Sequence, residues 1–188
     1  NLKPEKSKTA SIGLAIEPVQ NLTFSADYWN IKIRNQVNAI DQVAILGNPT
    51  LYGDKIVRCS AIPVAQQAEL NRCGADNLNS NAIGYVVTLQ DNIGKILTSG
   101  VDLSAGYVMN AGGAGTFAFN WDGTWVKSYK FQNSPTDPLR EKVGQYVDTD
   151  PIMRWMHTIG VRWTLGNLTS RLAVRHRTGY TDQNNPTT

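Results

Sequence analysis

Two consecutive runs of strict period-two alternation, from Arg154 to Tyr180, restrict this chain more than any other feature. In the first run, alternate positions are Trp155, His157, Ile159, Val161, Trp163 and Leu165. The positions between them are Met156, Thr158, Gly160, Arg162 and Thr164. After Gly166-Asn167 the pattern resumes with Leu168, Ser170, Leu172, Val174, His176, Thr178 and Tyr180 against Thr169, Arg171, Ala173, Arg175, Arg177 and Gly179. Successive side chains of a strand point to opposite faces of a sheet, so this alternation predicts strands. A Gly-Asn pair between two such runs predicts a tight hairpin. One face is aliphatic and aromatic; the other is small, hydroxylated and strongly basic. Both strands are long compared with the roughly five or six residues usual in globular sheets.

The same pattern recurs upstream. Ala10, Ile12, Leu14 and Ile16 alternate with Ser11, Gly13, Ala15 and Glu17, and a turn is expected over Pro18 to Asn21, since proline cannot donate to a ladder. Leu22, Phe24, Ala26 and Tyr28 then alternate with Thr23, Ser25, Asp27 and Trp29. The phase blurs at Ile31 and Ile33, as a bulge or the exit from an apolar layer would cause. A third strand carries Val101, Leu103, Ala105, Tyr107 and Met109 and begins as early as Gly94. A fourth carries Phe117, Phe119, Trp121 and Trp125 and extends to Phe131, after a turn over Asn110 to Gly115. The stretch from Asn35 to Asn92 is a long connection. Within it Val37 to Leu46 and Ala65 to Cys73 suggest short helices, and Tyr85 to Leu89 a strand. Asn133 to Pro151 is a second long connection.

This reading gives an all-β, antiparallel up-and-down meander of about six long strands in one domain, 1–188. Short turns follow strands one, three and five; long connections follow two and four. In a meander, alternate connections fall on opposite edges, so short turns and long loops segregate. Transmembrane β-barrels have that asymmetry. A soluble sandwich also alternates apolar and polar residues. The strand lengths, the loop asymmetry and a polar face of Ser, Thr, Gly, Ala and paired charges favour the barrel. Aromatics near strand ends, Tyr28, Tyr107, Trp125, Trp155, Trp163 and Tyr180, suit interfacial girdles. Charged residues make up 18% of the chain, against about 25% in soluble domains. No run of apolar residues is long enough for a transmembrane helix, which leaves a barrel untouched. A net charge of +3, with the arginines on alternate strand positions, gives no argument for nucleic acid.

The residues also resemble a known family. Asn1-Leu2-Lys3-Pro4-Glu5-Lys6-Ser7, followed by a strand, a proline turn and Ala26-Asp27-Tyr28-Trp29-Asn30-Ile31-Lys32-Ile33, resembles the barrel of TonB-dependent outer-membrane receptors. Asn92-Ile93-Gly94 with Ser99-Gly100-Val101-Asp102-Leu103 looks like that family's Asn-x-Gly … Gly-Val-Glu/Asp segment, and Arg177-Thr178-Gly179-Tyr180-Thr181-Asp182 is similar to an ascending strand near the barrel's end. The resemblance implies a 22-stranded barrel with a plug in its lumen. It also implies a bacterial outer-membrane location and active import of a scarce nutrient such as an iron chelate, cobalamin or an oligosaccharide. The partners it implies are TonB with its inner-membrane motor proteins, acting through the plug, together with the nutrient and outer-membrane lipid. The plug and closing strands are not in this sequence, whose ends read as loop, so the chain is expected to be part of a larger receptor.

Several residues are candidates for function. Glu17, Asp27, Asp102 and Asp122, then Arg162, Arg171, Arg175 and Arg177, fall on the polar face, acids early and bases late. They are expected to line a lumen, paired across strands and against a plug; the sharper reading is a basic strip for an anionic substrate. Cys59 and Cys73 lie in one polar segment without histidine, and a disulfide is expected rather than a metal site. The segment 36–92 is the candidate for substrate capture at the extracellular mouth. His157 and His176 fall on the apolar face with no carboxylate at ligand or triad spacing. Gly112-Gly113 reads as a turn, without the lysine and helix of a phosphate loop. No metal, cofactor or catalytic constellation is indicated. The competing readings are a soluble carbohydrate-binding β module using Trp121, Trp125, Trp155 and Trp163, and a porin or adhesin barrel.

Overall fold

The computed structural model describes residues 2–63, 66, 73, 81–135, 137–147 and 150–182. Its main sheet is built from six strands in meander order: β1 (Lys6–Val19), β2 (Leu22–Ala39), β5 (Gln90–Asn110), β6 (Thr116–Gln132), β10 (Trp155–Leu165) and β11 (Leu168–Arg177). The remaining strands are short: β3 (Ile56–Arg58), β4 (Ile83–Val86), β7 (Arg140–Glu141), β8 (Gln145–Val147), β9 (Asp150–Pro151) and β12 (Thr181–Asp182). β7 extends the main sheet by pairing with β6. The antiparallel meander expected from the alternation is therefore the fold. Transmembrane barrel strands need about 9–11 residues. β10 and β11, with 11 and 10, match that length, while β2 and β5, with 18 and 21, are longer than one crossing requires.

Registers explain how the hairpins close. β10 and β11 pair without a slip from Met156↔Arg177 to Leu165↔Leu168, and Gly166 takes the left-handed conformation the turn needs (φ 56°). β1 and β2 pair from Lys6↔Arg34 to Ile16↔Phe24, then shift before Val19↔Leu22. Pro18 sits in that irregularity, where a missing N–H costs no ladder bond. The turn itself is Gln20-Asn21, with Asn21 at φ 67°, so it starts later than the proline suggests.

Other boundaries also differ from expectation. The β1–β2 register runs unbroken through Thr9↔Ile31 and Ser7↔Ile33. No bulge explains the blurred phase: Ile31 and Ile33 lie on the same face as Asp27. Val37 to Ala39 continues β2 rather than opening a helix. The helix there, α1 (Gln42–Gly47), starts after Asp41, whose carboxylate accepts from the Val43 N–H. It is followed by α2 (Pro49–Tyr52), with proline in its first turn. The strand expected at Tyr85 to Leu89 is β4, ending at Val86 and paired with β3. The helix suggested for Ala65 to Cys73 falls mostly outside the described residues. β11 stops at Arg177, just before Thr178, whose N–H still donates to the Trp155 carbonyl of β10. Tyr180 lies beyond the strand and stacks on Tyr146 (5.9 Å).

The chain divides into two compact units. One comprises Asn1–Glu5, Asn35–Gly94 and Asn133–Asp137; the other Lys6–Arg34, Lys95–Gln132 and Pro138–Thr188. The first has small closed cores. Ile40, Ile45 and Tyr52 are buried with Ala44, Ile56, Val86 and Ile93 against them. Cys59, Ile62 and Cys73 form a second cluster. Cys59 and Cys73 are disulfide-bonded as expected, with Cα atoms 5.3 Å apart. The Tyr52 hydroxyl and Ser134 hydroxyl share a buried hydrogen bond of 2.6 Å. The second unit is mainly the sheet. Many of its large apolar side chains are exposed: Ile12 is 75% accessible, Leu172 67% and Leu14 67%.

Candidate functional site

The register assembles the charged and hydroxylated side chains on one face of the sheet. Gly13 faces Asp27 across β1–β2. The Ser25 and Ser104 hydroxyls are hydrogen-bonded at 2.8 Å across β2–β5. Ser104 is opposite Asp122 and Asp102 opposite Thr124. Asp122 is opposite Thr158, and Thr124 opposite Met156. Thr158 is opposite Arg175, and Met156 opposite Arg177. The face thus runs from carboxylates on β2, β5 and β6 to guanidiniums on β11.

Five of the eight expected charges meet in one trough. Asp27, Asp102, Asp122, Arg175 and Arg177 line a concavity of about 460 Å³ together with Ser25, Ser104 and Thr158. Thr124 Oγ1 donates to Asp102 (2.7 Å) and Asn120 Nδ2 to Asp122 (3.1 Å). The Asp27 carboxylate lies over Gly13: a Cβ there would stand 1.8 Å from Asp27 Oδ1. Glycine at position 13 is therefore what admits the acid. The other three charges lie elsewhere. Glu17 accepts from the Asn21 N–H (2.9 Å) and closes the β1–β2 turn. Arg162 and Arg171 are directly opposed near the Gly166 hairpin.

The opposite face is mostly aliphatic and aromatic, with His157 and His176 among its rings. Val101, Leu103, Ala105 and Tyr107 on β5 pair with Trp125, Gly123, Trp121 and Phe119 on β6, and Trp163, Val161, Ile159 and Trp155 of β10 continue the rows. Tyr107, Phe119, Phe117 and Trp163 stack at centroid distances of 6.3–6.5 Å. Trp121, Trp155, His157 and His176 form a second chain of ring contacts at 6.1, 5.8 and 5.0 Å. The Trp155 indole donates to His157 Nδ1 (2.6 Å), so the imidazole partners an aromatic rather than an acid. From Phe117 to Trp125 is about 26 Å along the strand at ~3.3 Å per residue, the scale of the roughly 25 Å apolar band of outer-membrane barrels.

Residues away from the polar face hold the loop ends. Asn92 Nδ2 donates to the carbonyls of Lys3 (2.7 Å) and Asn35 (2.8 Å). Glu5 accepts from the Val37 N–H (2.8 Å), and a Cβ at Gly94 would stand 2.8 Å from that of Gln36. The Leu-Lys-Pro-Glu and Asn-Ile-Gly stretches are thus parts of one junction. Glu141 is a second such device. It accepts from the Ser128 hydroxyl (2.7 Å) and the N–H groups of Tyr129 (2.8 Å) and Val143 (3.2 Å). Partial burial opposes its ionisation, but the bonds from Tyr129, Ser128, Val143 and Lys142 outweigh it and hold its pKa below the ordinary glutamate value. Charged acceptors clustered with backbone donors carry no sequence motif; only the pairing of β7 with β6 brings them together.

Among the described residues no group of three or more His, Cys, Asp or Glu could hold a metal ion. No described helix is long and apolar enough to cross a membrane, which says nothing of strands. A family model described as "TonB dependent receptor-like, beta-barrel" matches residues 1–188. No curated protein and no solved structure matches the chain.

Proposed function

The chain belongs to the TonB-dependent receptor-like β-barrel family, and from that premise we propose that it forms wall strands and a capture loop of a receptor that imports a scarce nutrient. The family is one of outer-membrane proteins engaged in TonB-linked transport, not a family of enzymes. The observation that carries the finer reading is the two-solvent sheet. One face is largely aliphatic and aromatic surface, exposed at Ile12, Leu14, Ile159, Leu172 and Val174. The other holds acids, hydroxyls and arginines. Water on both sides would leave the first face without a partner; hydrocarbon on one side and an aqueous lumen on the other satisfy both. Glu17, Asp27, Asp102, Asp122, Arg162, Arg171, Arg175 and Arg177 are then lumen charges.

β1 and β11 end the meander order of the sheet. An open edge cannot face lipid, because its N–H and C=O groups would lack partners. In this reading they pair with further strands of a larger barrel, and the 188 residues are one part of its wall, energised by TonB and its motor proteins through a plug. The segment 36–92 links the end of β2 to β5 and is the capture element. Among its described residues, the Cys59–Cys73 disulfide and the clusters around Ile45 and Ile62 tie parts of the segment together, which lowers the ordering cost of binding. Deleting Leu51 to Leu78 in the receptor is expected to abolish substrate binding and uptake while the barrel still inserts. Normal binding and import by the deletion variant would remove the loop from this role.

A further inference from the structure

The polar face is interrupted by an apolar concavity. Trp29, Ile31, Val126, Ile152, Met153 and Met156 line a hollow of about 590 Å³, within the range of small-molecule sites. Trp29, Ile31 and Met156 occupy positions whose register neighbours face the trough of acids and arginines: Ile31 follows Asp27 and Trp29 on one side of β2, and Met156 is opposite Thr124 and Arg177. The Trp29 indole approaches Gly100, where a Cβ would stand 2.4 Å from the ring, so the glycine makes room for it. Apolar groups on the water-facing side of a barrel gain nothing from lipid, and a concave cluster of them marks a binding surface.

The charge at the rim selects the occupant. Arg177 lines both this hollow and the adjoining trough. It stands opposite Met156, and Arg175, two positions earlier on the same face, stands opposite Thr158, so the register gives neither arginine an acid across the strand pair. Asp150, also at the rim, is already engaged in an interaction of its own. We propose that the hollow receives the aromatic or other flat apolar body of an anionic small molecule, with the Arg177 guanidinium taking its acid group by charge-assisted hydrogen bonds. This assigns a substrate class and rests on the transport reading above.

The test uses the intact receptor in lipid nanodiscs and three probes of one shape: 2-naphthoate, 2-naphthylmethanol and 2-naphthylmethylammonium. Binding is measured by titration calorimetry, with partition into empty nanodiscs subtracted. Naphthoate should bind at least about tenfold more tightly than the alcohol, the effect of one hydrogen bond to a charged group, and the ammonium most weakly. Arg177→Gln should reduce naphthoate to the level of the alcohol. Ile31→Asn should weaken both. The probe ranking needs no variant, so it stands even where a substitution prevents folding. Equal affinity for anion and cation, no binding above empty nanodiscs, or an unchanged naphthoate affinity in Arg177→Gln would overturn the proposal. Binding to the resting receptor needs no TonB. TonB-independent uptake with this ranking intact would overturn the transport reading and leave the pocket assignment standing.

Discussion

The loop unit and the sheet unit are built by opposite rules. In the loop unit, Ile45 and Cys59 are fully buried, a disulfide closes the chain, and Tyr52 and Ser134 satisfy each other away from water. These are the devices of a small domain folding in water, where a modest core needs a covalent staple. In the sheet unit, large apolar side chains such as Ile12, Leu172 and Val174 are open to the surroundings, and what joins the strands is the ladder. Such a sheet does not gain stability by hiding its apolar face from itself; it needs a solvent in which that face is already at home. The contrast is the one the proposed lipid-facing sheet and water-facing loop require.

The sharpest contrast is in side-chain truncation. Ile45→Ala removes a fully buried side chain and should cost the loop unit about 2–5 kcal/mol. Leu172→Ala, on the exposed apolar face, should cost far less in a bilayer, because acyl chains fill the space. Urea or thermal unfolding of the two variants in lipid gives the comparison, and equal losses would erase it. Next in size is the disulfide. Cys59→Ser with Cys73→Ser opens a link with a sequence separation of 14, and the entropic estimate for such a loop is about 3 kcal/mol. Hydrogen exchange should rise around Ile62 and Ala82 while β10 and β11 stay protected. A parallel rise in β10–β11 would mean the two units do not follow separate rules.

The smallest effect concerns Glu141. Its pKa is lowered on folding, so its contribution to stability is present above the unfolded value and is lost as pH falls through the folded one. Exchange protection of the Tyr129 and Val143 amides should therefore fall only below the ordinary glutamate range. Glu141→Gln should flatten that dependence. Protection in the parent that is already lost at neutral pH would refute the assignment.

The sheet was legible because its information is local. Period-two alternation places Trp163 and Arg162 on opposite faces without reference to any partner, and Gly166-Asn167 fixes the register between β10 and β11. The acids and arginines follow from the same count, which is why Asp27, Asp102, Asp122, Arg175 and Arg177 meet as their alternation implies. Where contacts are long-range, the sequence was mute. Asn92 reaches Lys3 and Asn35, and Tyr52 reaches Ser134, across separations that no periodicity records. Val37 to Ala39 reads as helix by spacing but is strand, because pairing overrides a weak local preference. At Ile31 and Ile33 the blurred phase was real information: it marks apolar residues on a polar face, not an irregular backbone.

The central claim is that the apolar face of β10 meets hydrocarbon and the opposite face meets water. Val161 and Arg162 are adjacent in one strand and point to opposite sides; Val161 pairs with Phe119 and Leu172, Arg162 with Ala118 and Arg171. Nitroxide labels placed singly at these two positions in the membrane-inserted receptor, read by their accessibility to oxygen and to a water-soluble relaxant, test this directly. A lipid signature is expected at 161 and an aqueous one at 162. Aqueous accessibility at 161, or lipid accessibility at 162, would contradict it.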